Sequence, residues 1–429
     1  MKNKIQLSKE PYKGTRDFYP EDMYIQNYIF NTMRNAVEKF GYQEYGSTIL
    51  EETALYKAKS GEEIVNEQTY SFTDRGGRDV TIRPEMTPTV ARMIARKRNE
   101  LNFPIRLYSI PNLFRYENPQ KGRLREHWQL NVDMFGADNT DADAEILSTA
   151  NTIMKEFGAT EEMYKIKISN RRLINYLFNE YFELTEEQAY KLAKLIDKKK
   201  KVTEEDFNIK LEEITKNKAN DILKILNIKK IEDFPAKIKE HTSIEEIKSL
   251  LEKLEKLDIK NYEFDITLMR GFDYYTGIIF ELFDTNKENP RSLFGGGRYD
   301  DLVGIFDVEK VTGIGFGMGD VTIKSFLEIH NLTPMYANKT KLYICNFGGK
   351  TIEYSQKLAN KLRINGIQTE VDLTNKKIGS QIGLADKKKI THIICIGEDE
   401  AKTGEYKLKN IITKEEITVT EEELIKKLK

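Results

Sequence analysis

Apolar and polar positions alternate in two distinct rhythms along this chain. Over residues 21–40, Met23, Ile25, Tyr28, Ile29, Met33 and Val37 recur at helical spacing. Phe40-Gly41 closes that run with a residue suited to a left-handed helix end. A short strand is predicted over 45–50, a hairpin with a glycine turn over 70–84, and a helix over 85–98. Residues 106–117 read as a strand, 118–125 as a polar loop and 126–136 as a second strand. In that second strand Trp128, Leu130, Val132 and Met134 alternate with His127, Gln129, Asn131 and Asp133. Period two puts the apolar four on one face and Gln129 with Asp133 on the other. In the first strand Arg115 and Glu117 share a face with Leu113. Polar residues on one face of such a pair are also what a solvent-facing sheet shows.

A helix is predicted over 140–157. From about 169 to 257 the rhythm is helical throughout, dense in Lys, Glu, Leu and Ile and nearly without glycine. This reads as a helical module inserted between two parts of one sheet domain, 1–168 and 258–332. Strand character returns at Tyr262 and holds through Phe283. Residues 294–302 read as a glycine-rich turn, and 311–319 as a strand with glycine at every second residue, open to close approach by backbone or a flat ligand. Asp320 is placed to cap a helix running to about Asn331. A linker is predicted over 333–340. The remainder, 341–429, alternates strand and helix and reads as a small α/β domain. Upstream, long strands without regular βαβ alternation predict an antiparallel sheet.

Composition narrows the class. With 429 residues there is ample core for two or three domains. Lys+Arg number 68 and Asp+Glu 69, a formal net charge of −1, so any polyanion must be met by local patches. The lysine runs 198–201, 376–377 and 387–389 are candidates, although such runs are commonly solvated faces. No apolar run is long enough to span a bilayer, and the first residues lead into no apolar signal segment, so a cytoplasmic protein with no membrane contact is expected. Cys345 and Cys395 lie in separate apolar runs and read as buried thiols. The histidines His127, His241, His330 and His392 have no metal-ligand spacing.

Candidate chemistry concentrates in two stretches. Residues 268–281 carry Arg270 before a glycine, then Tyr274 and Tyr275, then an apolar alternation holding Glu281. Arg270 offers a rigid fork of donors for phosphate or carboxylate, and the tyrosines offer flat walls with polar tips. Alone this is equally a strand entry with a surface arginine. Residues 115–133 repeat the mixture of arginines, acids and strand alternation.

Those residues resemble a known family. Lys13-Gly14-Thr15-Arg16-Asp17 with Pro20, Arg83-Pro84-Glu85 with Thr87, Phe114-Arg115-Tyr116-Glu117 with Pro119-Gln120-Lys121-Gly122-Arg123, and Gln129-Leu130 with Asp133 are similar to the histidyl-tRNA synthetase pattern. So are Arg270-Gly271-Phe272-Asp273-Tyr274-Tyr275, Gly296-Gly297-Arg298-Tyr299-Asp300 and Ile396-Gly397-Glu398-Asp399-Glu400. The resemblance implies a class II synthetase-like α+β catalytic domain on an antiparallel sheet, with a helical insertion and a C-terminal α/β anticodon-binding domain. It implies activation of L-histidine by ATP, with Mg2+ bridging phosphates, and transfer to the 3′ end of tRNA(His). By analogy Arg115 and Arg270 grip the α-phosphate and carboxylate side and are catalytic. Arg123 reaches the outer phosphates and Glu117 the adenine end. Glu85, Thr87 and Gln129 bind the α-amino group. Asp133 and Tyr275 bind the imidazole nitrogens, with Tyr274 lining the pocket. Asp133 stands where the family resemblance leads one to expect glutamate. A homodimer is implied, with about residues 21–52 at its seam.

Two departures stand out. Thr48 resembles a position usually held by proline at the dimer seam. Thr322 stands where class II enzymes usually carry the arginine that binds the γ-phosphate, and Arg298, Arg123 or Lys324 are candidates to compensate. The alternative is a non-catalytic, histidine-sensing paralogue of the kind that regulates ATP phosphoribosyltransferase. Such relatives typically lack the C-terminal domain that is present here at 341–429.

Overall fold

The computed structural model describes residues 7–58, 68–120, 122–199, 202–269 and 274–429. The chain divides into two compact units, Met1–Pro334 and Met335–Lys429.

In the first unit the strands are β1 (Gln43–Glu44), β2 (Leu50–Glu52), β3 (Tyr70–Thr73), β4 (Asp79–Ile82), β5 (Ile105–Ser109), β6 (Asn112–Phe114) and β7 (Glu126–Phe135). They continue as β8 (Tyr164–Asn170), β9 (Tyr262–Phe264), β10 (Ile278–Asp284), β11 (Ser292–Arg298) and β12 (Gly313–Gly319). Among the described residues a nine-stranded sheet runs β1-β5-β7-β12-β11-β10-β8-β9, with β6 paired to β7, and β2-β4-β3 form a small second sheet. The large sheet is antiparallel except at its edges, where β1 pairs β5 and β8 pairs β9 in parallel.

Its two faces differ because their cover differs. Leu130, Val132 and Met134 of β7 and Ile314, Phe316 and Met318 of β12 join one apolar cluster with Ile29, Met33 and Val37 of helix Pro20–Glu38 and Ala150 and Ile153 of helix Thr140–Glu156. Each of these side chains larger than alanine contributes about 1.5–3 kcal/mol on full burial. The opposite face carries Asn131 and Asp133 of β7, both buried, with Gln129 and His127 half-buried.

Between β8 and β9 the chain is helical, from Arg171–Tyr176 to Thr242–Lys256. Thr185 and Gln188 form a capping box there, and Thr203 caps the next helix. Ser169 and Asn170 are still paired strand residues opposite Ile279 and Ile278. The apolar face of these helices continues the cluster under the sheet through Leu192, Leu211, Ile247 and Leu254.

Several expected elements differ. Residues 45–49 are not a strand, because the Arg83 guanidinium takes the carbonyls of Ser47 and Thr48, at 3.2 Å each. The strand expected over 106–117 breaks before Pro111, which has no N–H to give, and Arg115 and Glu117 lie beyond β6 in the loop. The strand expected from Tyr262 through Phe283 is two strands, since β9 ends at a turn in which Asp265 accepts from the Thr267 N–H at 3.1 Å.

The glycines at 295–297 form strand, not turn. A Cβ on Gly296 would lie 1.9 Å from the Gly315 carbonyl oxygen, and one on Gly297 2.7 Å from that of Ile278. Their role is close strand packing. Asp320 does not cap its helix, which Gly319 precedes. It accepts instead from Arg16 and Gln26, both at 2.8 Å, and from the Trp128 N–H at 3.0 Å.

The second unit holds β13 (Leu342–Asn346), β14 (Thr369–Val371), β15 (His392–Ile396), β16 (Glu405–Asn410) and β17 (Glu416–Thr420), in the order β14-β13-β15-β16-β17. Helices Lys350–Ile364 and Ile378–Lys387 make its parallel crossovers. Cys345 and Cys395 are free thiols, Cys345 buried and Cys395 half-buried, and they face each other as register partners.

Candidate active site

The polar face of β7 closes onto a cavity of about 100 Å³. That is small beside the roughly 300–1,000 Å³ of typical ligand pockets, and suits one amino-acid-sized group. Glu85, Thr87, Gln129, Asp133, Tyr274 and Tyr275 all line it, with Arg115. The sequence separates these residues by up to 190 positions, and the sheet brings them together.

Glycine makes the space. Gly315 and Gly317 of β12 stand opposite Asp133 and Asn131 across the β7 pairing. A Cβ on Gly315 would lie 2.6 Å from Asp133 Oδ1, and one on Gly317 2.0 Å from Gln129 Nε2. The alternating glycines therefore leave room for two polar side chains to enter the cavity.

Each polar group is oriented by a neighbour. Gln129 Nε2 donates to Asn131 Oδ1 at 2.8 Å, and Asn131 Nδ2 donates to the Gln129 carbonyl at 3.0 Å. The amide oxygen of Gln129 is left as an acceptor. Asp133 Oδ1 accepts from the Tyr299 hydroxyl, while Oδ2 is buried with no hydrogen-bond partner among the described residues. Burial pushes the Asp133 carboxyl up to about 7, against a smaller lowering by Tyr299. Tyr299 is raised in turn by burial first and by Asp133 second. Glu85 is buried, with the Tyr274 hydroxyl 3.5 Å from its Oε2. Tyr274 and Tyr275 stand with ring centroids 5.0 Å apart, and Tyr299 meets Tyr274 edge-on at 6.0 Å.

The cationic side is built on the loop between β6 and β7. Arg115 Nε donates to the Pro84 carbonyl at 3.0 Å, fixing the arginine beside Glu85. His127 is held down to about 3, by burial first and then by Arg115 and Arg16, so it is neutral beside the site. Glu117 and Arg123 do not line the cavity. They pair with each other at 3.4 Å further along the loop, and Glu117 Oε2 makes no hydrogen bond among the described residues. Arg125 holds the loop base, donating to the Glu117 carbonyl at 3.2 Å and to the Tyr12 hydroxyl at 2.7 Å, with the Tyr116 ring 4.0 Å away. Arg270, with residues 271–273, lies outside the described residues.

Arg298 is not near the cavity's open chemistry. It is buried, pairs with Asp143 at 3.0 Å, and donates to the carbonyls of Ala137 and Asn139 at 3.0 and 3.1 Å. It ties the end of β11 to the start of helix Thr140–Glu156 and cannot compensate for Thr322. The Thr322 hydroxyl donates to the Leu293 carbonyl at 2.7 Å and the Gly319 carbonyl at 3.0 Å. Lys324 pairs loosely with Asp22 at 3.8 Å.

Sequence reasoning missed Asn131 and Tyr299 as site residues. Asn131 sat in the polar alternation of β7, and Tyr299 followed the conspicuous glycine run, so both carried a signal. Asn131 meets Gln129 two residues along the same strand, whereas Tyr299 meets Asp133 only across the sheet.

The histidyl-tRNA synthetase family model matches residues 14–321, and an anticodon-binding domain model matches 341–429. The chain is 46% identical over 429 residues to a histidine–tRNA ligase of Leptospira biflexa serovar Patoc, covering 99% of this chain and 98% of that protein. It is 35% identical to one of Haloarcula marismortui, covering 95% and 94%. A crystal structure of histidyl-tRNA synthetase from Nostoc sp. PCC 7120 shares the fold, with TM-score 0.83, 21% identity and 99% coverage of both chains.

Proposed function

The chain belongs to the histidyl-tRNA synthetase family, and we propose that Glu85, Thr87, Gln129, Asp133, Tyr274 and Tyr275 hold histidine while Arg115, Arg270, Arg123 and Glu117 hold ATP. The activity is histidine–tRNA ligation. Its first step joins a histidine carboxylate oxygen to the α-phosphorus of ATP as the bond to pyrophosphate breaks. The second moves the histidyl group from AMP to a hydroxyl at the 3′ end of tRNA. In-line attack needs a positioned carboxylate and cations around the α-phosphate, the work assigned to Arg115 and Arg270.

One observation carries the histidine assignment: Asp133 is locked on one oxygen by Tyr299 and keeps the other buried at the cavity, unpartnered among the described residues. An imidazole N–H satisfies that oxygen. A side chain without a donor leaves it buried and unpaired, and rejection by such sites reaches roughly 10⁴–10⁵. The Gln129 amide oxygen and the Glu85 carboxylate are the acceptors for the α-amino group. At the other end the Glu117 Oε2, without a hydrogen bond among the described residues, suits the adenine amino group, and its release of Arg123 would free that arginine for phosphate.

Magnesium fits as a phosphate-bound ion needing few protein ligands. Glu281 pairs with Gly295, a residue of the cavity wall, and so stands on the cavity's face of the sheet as a carboxylate for it. When bound, the ion supplies positive charge to the phosphate oxygens.

The lysines at 376–377 and 387–389, all exposed, are the phosphate contacts for tRNA on the second unit. Residues 169–257 are read as an insertion clamping the acceptor arm. Their helices share the core beneath the sheet, so charge reversal at Lys198 and Lys199 tests this more cleanly than deletion. It should raise the tRNA KM and spare adenylate formation. A homodimer through about residues 21–52 is supported by the exposed Met23, Ile49 and Leu50. Light scattering would read a single-chain mass if that is wrong.

The deciding experiment is histidine-dependent ATP–pyrophosphate exchange, with Arg270→Ala as control. Exchange that the variant abolishes supports this reading. A folded, histidine-binding wild type without exchange overturns it in favour of a sensing paralogue.

A further inference from the structure

The loop between β6 and β7 has a second cation at its tip, contributed from elsewhere in the chain. Arg291, just before β11, donates from Nη2 to Gln120 Oε1 at 3.0 Å. Its Nη1 lies 3.7 Å from where a Cβ on Gly122 would stand. The exposed Arg291 side chain therefore lies beside Gln120 and Gly122, and Gly122 is the sequence neighbour of Arg123. Two residues on, the Leu293 carbonyl receives the Thr322 hydroxyl, so the neutral Thr322 is tied to the strand that Arg291 begins.

Three other arginines of this unit are buried in structural roles, whereas Arg291 is exposed. Arg125 holds the loop base, Arg298 is buried with Asp143, and Arg83 is bolted to Asn112. A bound triphosphate carries three to four negative charges, and with Arg115 and Arg270 assigned to the α-phosphate, Arg123 is left at the outer ones. We infer that Arg291 binds the outer phosphates of ATP together with Arg123, supplying the positive charge that Thr322 does not. The fork suits two phosphate oxygens at once, and its anchorage through Gln120 lets nucleotide binding draw the loop tip and β11 together. This rests on the ATP reading above.

The test is calorimetric titration of ATP, and separately of AMP, into the full chain and its Arg291→Ala and Arg291→Lys variants. Losing a charged hydrogen-bonding partner of the outer phosphates should weaken ATP about 10- to 100-fold, with the lysine variant between wild type and alanine. AMP, which lacks those phosphates, should bind within about twofold of wild type. In pyrophosphate exchange the KM for ATP should rise while that for histidine holds. Equal weakening of ATP and AMP would make Arg291 a prop for the loop and overturn the inference, as would unchanged ATP binding. A wild type that binds no ATP would instead overturn the ligase reading itself.

Discussion

Replacing Asp133 with asparagine keeps the shape of the site and removes its charge. In the folded protein burial holds this carboxyl up at about 7, whereas an unfolded aspartate titrates near 3.9. The gap is about three pKa units, and at about 1.4 kcal/mol each it amounts to something on the order of 4 kcal/mol. The sign follows from linkage. A group whose folded value is raised adds stability that is whole below about pH 4, drains away as pH rises, and is gone above about pH 7. Wild-type ligand-free protein should therefore lose stability across that window, and Asp133→Asn should not share the loss. Melting temperatures of both proteins, taken in steps from pH 5 to 8.5, should diverge with rising pH in favour of the variant. The same substitution should raise the KM for histidine more than tenfold and leave that for ATP nearly unchanged, because the lost acceptor faces only the imidazole. A constant difference in melting temperature across the range would refute the claim that Asp133 is buried and protonated in the empty site. A histidine KM that did not move would refute its place in recognition.

Gly317→Ala should drive Gln129 out of the cavity, since the new Cβ falls 2.0 Å from its Nε2. The histidine KM in exchange assays should rise steeply, and melting should shift only modestly if Gln129 can swing clear. Arg298→Ala strands Asp143, whose carboxyl burial already pushes up to about 6 despite the arginine. Urea unfolding should show a loss of about 3–5 kcal/mol, and because Arg298 sits away from the cavity, the residual folded enzyme should keep its histidine KM. Binding of tRNA should weaken linearly in log–log with salt if the exposed lysines of the second unit make the phosphate contacts. A flat salt response in filter binding would exclude them.

The sequence carried a good deal of this on its own. Helical periodicity over 21–40 and 140–157 needs only local spacing, and the helices fall there because burying one face of each is favourable wherever the partner lies. The alternation in residues 126–136 likewise determined which side chains of β7 share a face. Motif residues such as Glu85, Gln129 and Tyr275 could be picked out singly.

What the tertiary structure alone decided is what those faces meet. Nothing local distinguishes a glycine run that turns from one that packs, and Gly295–Gly297 proved to be strand because β12 and β10 press against them on both sides. Nor could spacing show that Arg298 is a buried tie and Arg291 a guanidinium on the loop tip, since each role is set by partners more than a hundred residues away. The protonation of Asp133 is of the same kind. Its chemistry depends on Tyr299, 166 residues on, and on burial, both products of sheet closure. Periodicity fixes which face a side chain takes; desolvation and partner identity arise only when distant segments meet, and in this chain those decide the chemistry.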